Sequence, residues 1–237
     1  VRLSAEPGTI HPLRRPDGRG AGVTGTVLSA GRLYADLIFT ALPRMPSLGT
    51  EVFAGGFSIH AGGGAFITAA HLADLGRGAE LAAILPGPPF GPMLMAEIGA
   101  AGVGTRLAQP SPAGMGPQVT VALATAGDRA FVTRREGAPL PDLAPADLER
   151  AGVRHLHVAE LGTLIERPGL IGLARAAGAT ISLDCGWDDA VTAEAGPLIA
   201  AVDVFLPNAA EAARLEGLGV APPFAPVTVI KCGAEGA

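Results

Sequence analysis

The chain has 237 residues, of which 34 are Gly and 21 Pro, together about 23 %, just under the roughly 25–30 % at which low-complexity disorder becomes the default. With 49 % hydrophobic residues and only two distant cysteines, Cys185 and Cys232, it reads as one large folded domain without a disulfide framework or a cysteine zinc site, and the scarcity of cysteine fits a reducing, cytoplasmic setting. A formal net charge of −5 without a long basic run argues against a nucleic-acid partner, and no apolar stretch approaches the roughly 18 residues of a membrane span, so a soluble chain is expected.

Residues 1–23, with Pro7, Pro12 and Pro16 among several glycines, show neither helical nor strand periodicity and are expected to form an extended arm. From Thr24 the apolar run Val27–Ala30 leads through Gly31 to Asp36, and a second run, Leu37–Leu42, follows, which reads as strand, turn, strand. Gly62-Gly63-Gly64 open a segment of small and apolar residues, Ala65–Leu75, closed by Gly76, as in a buried helix with a glycine after its last turn. The remainder alternates. Apolar runs at Glu80–Leu85, His155–Ala159, Thr180–Leu183, Val202–Leu206 and Val227–Ile230 are separated by helical segments at Phe90–Ala101, Pro168–Ala177, Ala190–Ala201 and Asn208–Leu215. Continuous apolar strands separated by single helices predict a parallel sheet covered on both faces. Two stretches of alternating character, Gln118–Thr125 and Arg129–Arg135, flank Ala126-Gly127-Asp128 and predict a hairpin; with Glu51–Ile59 they can build a small second sheet.

Several residues carry candidate chemistry. Glycines at a helix start leave backbone N–H groups facing a ligand with the positive end of the helix dipole behind them; Gly62 and Gly63 fit that description, and equally a tight turn with close packing. Asp36, Glu160 and Asp184 fall near strand ends, at the carboxyl edge where open α/β sheets bind ligands; each can accept from a hydroxyl, or serve as a loop carboxylate or cap. Asn208 and Glu211 stand one turn apart at a helix start, where they can face a polyanion or its hydrated metal, or form a reciprocal cap. His155 and His157 alternate on one strand with no third ligand in register, so packing and hydrogen bonding are the expectation. Cys185 has no histidine in local register and reads as structural.

The order of these features resembles the ribokinase-like, PfkB-type carbohydrate kinases from about Thr24 to Ala237. Gly31 with Asp36 matches the family's first-strand glycine and hydroxyl-binding aspartate. Gly62-Gly63 through Leu75-Gly76 matches its Gly-Gly helix, Glu160 its acidic residue after the middle strand, Asn208 and Glu211 its Asn-x-x-Glu motif, and Val227–Ala237 its late strand and Gly-x-x-Gly turn. The resemblance implies an α/β, three-layer αβα fold over residues 24–237, with a mostly parallel central sheet and a small β lid whose strands lie at about 40–60 and 117–136. It implies ATP-dependent phosphorylation of a primary hydroxyl of a sugar or nucleoside with Mg2+, and a homodimer through the lid. It places Asp36, Gly62, Gly63 and Glu160 against substrate, Asn208, Glu211, Lys231 and Gly233 against the nucleotide, and Asn208 with Glu211 near the metal through water. The family's catalytic Gly-Ala-Gly-Asp stretch does not occur in these 237 residues, and Gly64 and Ile67 stand where the family has polar sugar contacts. The chain as given is therefore expected to turn over poorly, and the alternative is a sugar- or metabolite-binding protein on a degenerate kinase fold.

Overall fold

The computed structural model describes residues 25–237; the expected arm over residues 1–23 lies outside the described residues. In chain order the strands and helices are β1 (Thr26–Ala30), β2 (Tyr34–Leu42), β3 (Gly56–Gly62), α1 (Gly64–Asp74), β4 (Ala79–Ala82), β5 (Ile84–Leu85), α2 (Gly91–Ala100), β6 (Gln109–Pro110), β7 (Val119–Thr125), β8 (Arg129–Arg134), α3 (Pro145–Arg150), β9 (Val153–Val158), α4 (Leu161–Glu166), α5 (Gly169–Ala176), β10 (Thr180–Asp184), α6 (Gly196–Ala200), β11 (Val204–Leu206), α7 (Ala209–Gly217) and β12 (Val227–Thr228).

Six strands pair in the order β12-β11-β10-β9-β1-β4, every pairing parallel. The apolar runs read from the sequence supply these strands, because a strand covered on both faces has no need of alternation, except that the run Glu80–Leu85 divides: its first part is in β4, and Ile84–Leu85 pairs as β5 with β6 in a separate two-stranded sheet. On one face Leu28, Leu156, Ile181, Leu183 and Phe205 pack with residues of α3 to α7, among them Leu148, Leu164, Leu170, Ile199 and Leu215. On the other, Ala79 and Leu81 meet Ala65, Phe66 and Ala69 of α1 and Leu94 and Ile98 of α2. Truncating one of these fully buried leucines to alanine is expected to destabilise by about 2–5 kcal/mol.

Helix α1 shows why the glycines sit where they do. Gly63 adopts φ 93° before the first turn, and a Cβ there would lie 2.3 Å from the Arg32 carbonyl oxygen. One residue on, a Cβ at Gly64 would stand 3.1 Å from the Ala159 side chain, so the helix start rests directly on the end of β9. At the other end Gly76, φ 75°, donates to the Ala73 carbonyl while Arg77 donates to Leu72, the left-handed ending expected from the sequence.

A second sheet of four strands has the order β3-β2-β7-β8. β2 pairs antiparallel with β3 and parallel with β7, and the predicted β7–β8 hairpin closes it. This sheet starts at Tyr34, so Asp36 lies inside a strand and not in the turn expected before it. β3 starts at Gly56, later than the expected run from Glu51.

The expected helix Ala190–Ala201 is instead a short 3-10 turn, Ala193–Ala195, followed by α6. Pro197 at the second position of α6 explains the break, since it lacks the N–H that would bond back one turn. The short helices α3 and α4 escape a periodicity reading because six residues hold less than two turns. Among the described residues no helix is long and apolar enough to cross a membrane.

Candidate functional site

Because the six strands run parallel, their carboxyl ends lie along one edge. Gly31 follows β1, Glu160 follows β9, Asp184 ends β10 and Pro207-Asn208 follow β11, so four of the positions singled out in the sequence share that edge. The small sheet springs from the same place, since only Gly31–Leu33 separate β1 from β2.

Asp36 faces Gly62. A Cβ at Gly62 would lie 2.0 Å from the Asp36 carboxyl carbon, so the glycine leaves a notch that the carboxylate fills. Oδ1 of Asp36 is buried without a hydrogen-bond partner. Burial pushes its pKa up to about 6; the facing His60 and the Thr120 hydroxyl act in the opposite sense and Glu97 in the same sense. His60 is directly opposite Asp36 in the β2–β3 register; its Nδ1 lies 3.1 Å from Glu97 Oε1, and the other Glu97 oxygen accepts from the Ala61 N–H at 2.7 Å. Thr120, beside Asp36 in the β2–β7 register, offers its hydroxyl to the carboxylate, and Oδ1 is the acceptor left over.

Glu160 stands immediately before α4 among charges of both signs. Burial raises its pKa, Arg135 and Arg32 lower it, and Glu166 and Asp188 raise it. Arg135 follows β8 and reaches across to the β10 side of the edge, donating from Nη2 to Asp188 Oδ2 at 3.0 Å. Tyr34 is buried between these charges; desolvation first and Glu160 second drive its hydroxyl pKa above the ordinary range. Gly186, φ 66°, places its Cα side against Glu160, with a Cβ there 3.8 Å from the Glu160 Cβ. Trp187, the single tryptophan of the chain, follows it and stacks under the Arg214 guanidinium at 4.9 Å.

Asn208 and Glu211 form the reciprocal cap read from their spacing. Asn208 Oδ1 accepts from the Glu211 N–H at 2.8 Å, and Glu211 Oε2 accepts from the Asn208 N–H at 2.7 Å. Lys231 joins them: its backbone N–H donates to the Pro207 carbonyl at 2.8 Å, and its Nζ reaches Asp184 Oδ1 at 2.6 Å. Gly233, φ 62°, begins the short turn Gly233–Glu235. For a divalent cation this donor set is limited. Among the described residues no three His, Cys, Asp or Glu side chains gather as a direct ligand set, and the cap already engages Asn208 Oδ1 and one Glu211 oxygen. The set fits a hydrated Mg2+ touched through water by the second Glu211 oxygen and does not fit direct ligation.

The histidines behave as expected. His155 shares hydrogen bonds with the hydroxyls of Thr180 and Ser182, both at 2.7 Å, and His157 with Ser182 at 2.9 Å. Burial lowers the His157 pKa to about 4. Cys185 is buried, which pushes its thiol up to about 12. Phe66 is core, whereas Ile67 is 47 % exposed.

Four residues were not found from the sequence: Arg32, Glu97, Arg135 and Asp188. Arg32 carried a local signal, a charge inside the apolar stretch Ala30–Leu33. The other three owe their place to partners far along the chain.

No family model and no curated protein sequence matches the chain. Solved structures do. A PfkB protein from Polaromonas sp. JS666 superposes with TM-score 0.67 at 24 % identity, over 90 % of this chain and 78 % of its own. The fold is ribokinase-like. Fructokinase from Halothermothrix orenii matches with TM-score 0.68 at 19 % identity, over 83 % of this chain and 72 % of its own. Fructokinase from Xylella fastidiosa, solved with bound ATP, matches with TM-score 0.63 at 20 % identity, over 84 % and 66 %. Of another matching structure the chain spans 62 % of the length.

Proposed function

We propose that the carboxyl edge of the central sheet is the acceptor site of a sugar-kinase-like protein, which binds a sugar or nucleoside and, with ATP, directs phosphoryl transfer to a primary hydroxyl. The observation that carries this is the Asp36 carboxylate, held in the notch left by Gly62 with a buried acceptor oxygen unused. Asp36 and Glu160 accept from substrate hydroxyls, and Gly62 and Gly63, whose missing side chains make room for the Asp36 carboxylate and the Arg32 carbonyl, bring their backbone beside the substrate. Lys231 and Gly233 face the nucleotide phosphates. When bound, Mg2+ neutralises phosphate charge; Glu211 would hold it through water by its second carboxylate oxygen, with Asn208 orienting Glu211 through the reciprocal cap. Phosphoryl transfer of this kind rests on positioning, charge neutralisation and exclusion of water.

The small sheet acts as a lid over this edge, the arrangement that water exclusion requires. Its outer strand β8 is exposed along its whole length, with Phe131 and Val132 at 56 % and 67 % exposure. A strand with one edge free and apolar side chains exposed is a pairing edge, so we assign to it association with a second copy of the chain.

The test is a titration of the native protein with ribose, fructose, a 2-keto sugar acid and adenosine, followed by Trp187 fluorescence, in wild type and Glu160→Gln. Saturable binding of one of these, weakened at least about tenfold by the substitution, supports the reading. No saturable binding across the panel overturns it. Phosphorus NMR with Mg2+ and ATP then separates sugar phosphate formation from binding alone.

A further inference from the structure

Arg32 is the least expected residue of the chain: an arginine only 4 % exposed in the three-residue link between the two sheets. It gathers the other chain segments that pass from one sheet to the other. Nη1 donates to Gln118 Oε1 at 2.8 Å, immediately before β7, and to the Gly137 carbonyl at 2.9 Å, shortly after β8. Nη2 donates to Glu166 Oε2 at 2.6 Å, at the end of α4 in the core layer. The remaining crossing, β3 to α1, lies against the Arg32 carbonyl, which is why Gly63 can carry no side chain. Nε is buried without a partner. Burying so polar a group is unfavourable unless most of its donors are satisfied, and here they are satisfied by segments 86, 105 and 134 residues away along the chain.

We propose that Arg32 is a positioning residue of the acceptor site, a clamp at the root of the small sheet that fixes where Asp36 and Arg135 stand relative to Glu160. The functional half of this statement rests on the acceptor-site reading; the clamp itself does not. On the core side the clamp has a single charged anchor, because Glu166 is the only carboxylate bonded to the Arg32 guanidinium among the described residues. Electrostatics works in the same direction: Arg32 and Arg135 favour the charged Glu160 carboxylate against burial, Glu166 and Asp188 oppose it, and Tyr34 is the remaining titratable neighbour.

The experiment needs no ligand, so its failure and the failure of the sugar-site reading are distinguishable. Amide hydrogen exchange is followed in wild type, Arg32→Gln, Arg32→Lys and Gln118→Ala, and the Glu160 carboxyl is titrated by carbon NMR, its resonance assigned with Glu160→Gln. Arg32→Gln is expected to speed exchange on the order of tenfold in β7 and β8 while β9 and β10 change little, and to raise the Glu160 midpoint. Arg32→Lys keeps the charge but loses the fork, so it should loosen β7 and β8 while leaving the Glu160 midpoint near that of wild type. If Arg32→Gln does not fold, Gln118→Ala carries the test, with the same selective loosening at smaller amplitude. Equal acceleration in both sheets, or none in either, overturns the clamp. An unmoved Glu160 midpoint in Arg32→Gln overturns its coupling to the site.

Discussion

Replacing Asp36 by asparagine should stabilise the fold by removing a buried charge. The side chain is largely buried, and its pKa is pushed up from 3.8 to about 6. About two pKa units at 1.36 kcal/mol each, discounted because about a third of the group meets solvent, mean that the ionised group costs the native state roughly 2 kcal/mol at pH 8. The sign follows from linkage. Between pH 3.8 and 6 the folded protein binds the proton that the unfolded chain has lost, so this contribution is fully present below the unfolded pKa and is lost as pH rises through the folded value. Asparagine keeps the shape, removes the charge and leaves one buried amide imperfectly paired, so a net gain of about 1–2 kcal/mol at pH 8 remains. At roughly 2–4 °C per kcal/mol for a chain of this size, Tm should rise by several degrees. The assay is thermal unfolding of both proteins at pH 8 and at pH 4. A gain at pH 8 that fades at pH 4 is the expected outcome; an Asp36→Asn protein no more stable than wild type at pH 8 would refute the reasoning.

Gly62→Ala should lower stability by about 1–3 kcal/mol, because its Cβ would lie 2.0 Å from the Asp36 carboxyl carbon, and the loss should shrink in Asp36→Ala, where the obstructing group is gone; denaturant unfolding of the two single variants and the double variant measures that coupling. His157, whose pKa falls from 6.5 to about 4 on burial, stabilises the fold in full above the unfolded value and loses that contribution as pH falls toward the folded one. Urea unfolding from pH 7 to 4 should accordingly show a decline on the order of 3 kcal/mol that His157→Gln lacks. Of the two thiols, exposed Cys232 should react with a thiol reagent in the native protein and buried Cys185 only after unfolding; two thiols reacting at one rate in the native state would contradict the placement of Cys185.

The features legible in the sequence are those whose cause is local. The parallel strands announce themselves because each is apolar without alternation. Asn208 and Glu211 are three residues apart, so their cap is encoded within one turn. Gly63 and Gly76 mark left-handed conformations that other residues adopt at a cost. The extent of β2 was less legible, because Asp36 puts a charge into a largely apolar strand and its burial depends on Gly62 in the facing strand. The electrostatic frame was not legible at all: Glu97 reaches His60 across 37 residues and Arg135 reaches Asp188 across 53, separations that no spacing rule connects. The candidate edge was therefore visible as a set of points, and the contacts that hold those points together required the tertiary structure.

The claim on which the account turns is that an ionised Asp36 accepts from a substrate hydroxyl, and calorimetric titration with the best-binding sugar of the panel at pH 8 and pH 5 tests it most directly. With a pKa of about 6, about one molecule in ten carries the carboxylate at pH 5, so affinity should fall about tenfold between the two conditions in wild type and be weak at both in Asp36→Asn. Equal affinity at both pH values, undiminished in Asp36→Asn, would contradict it.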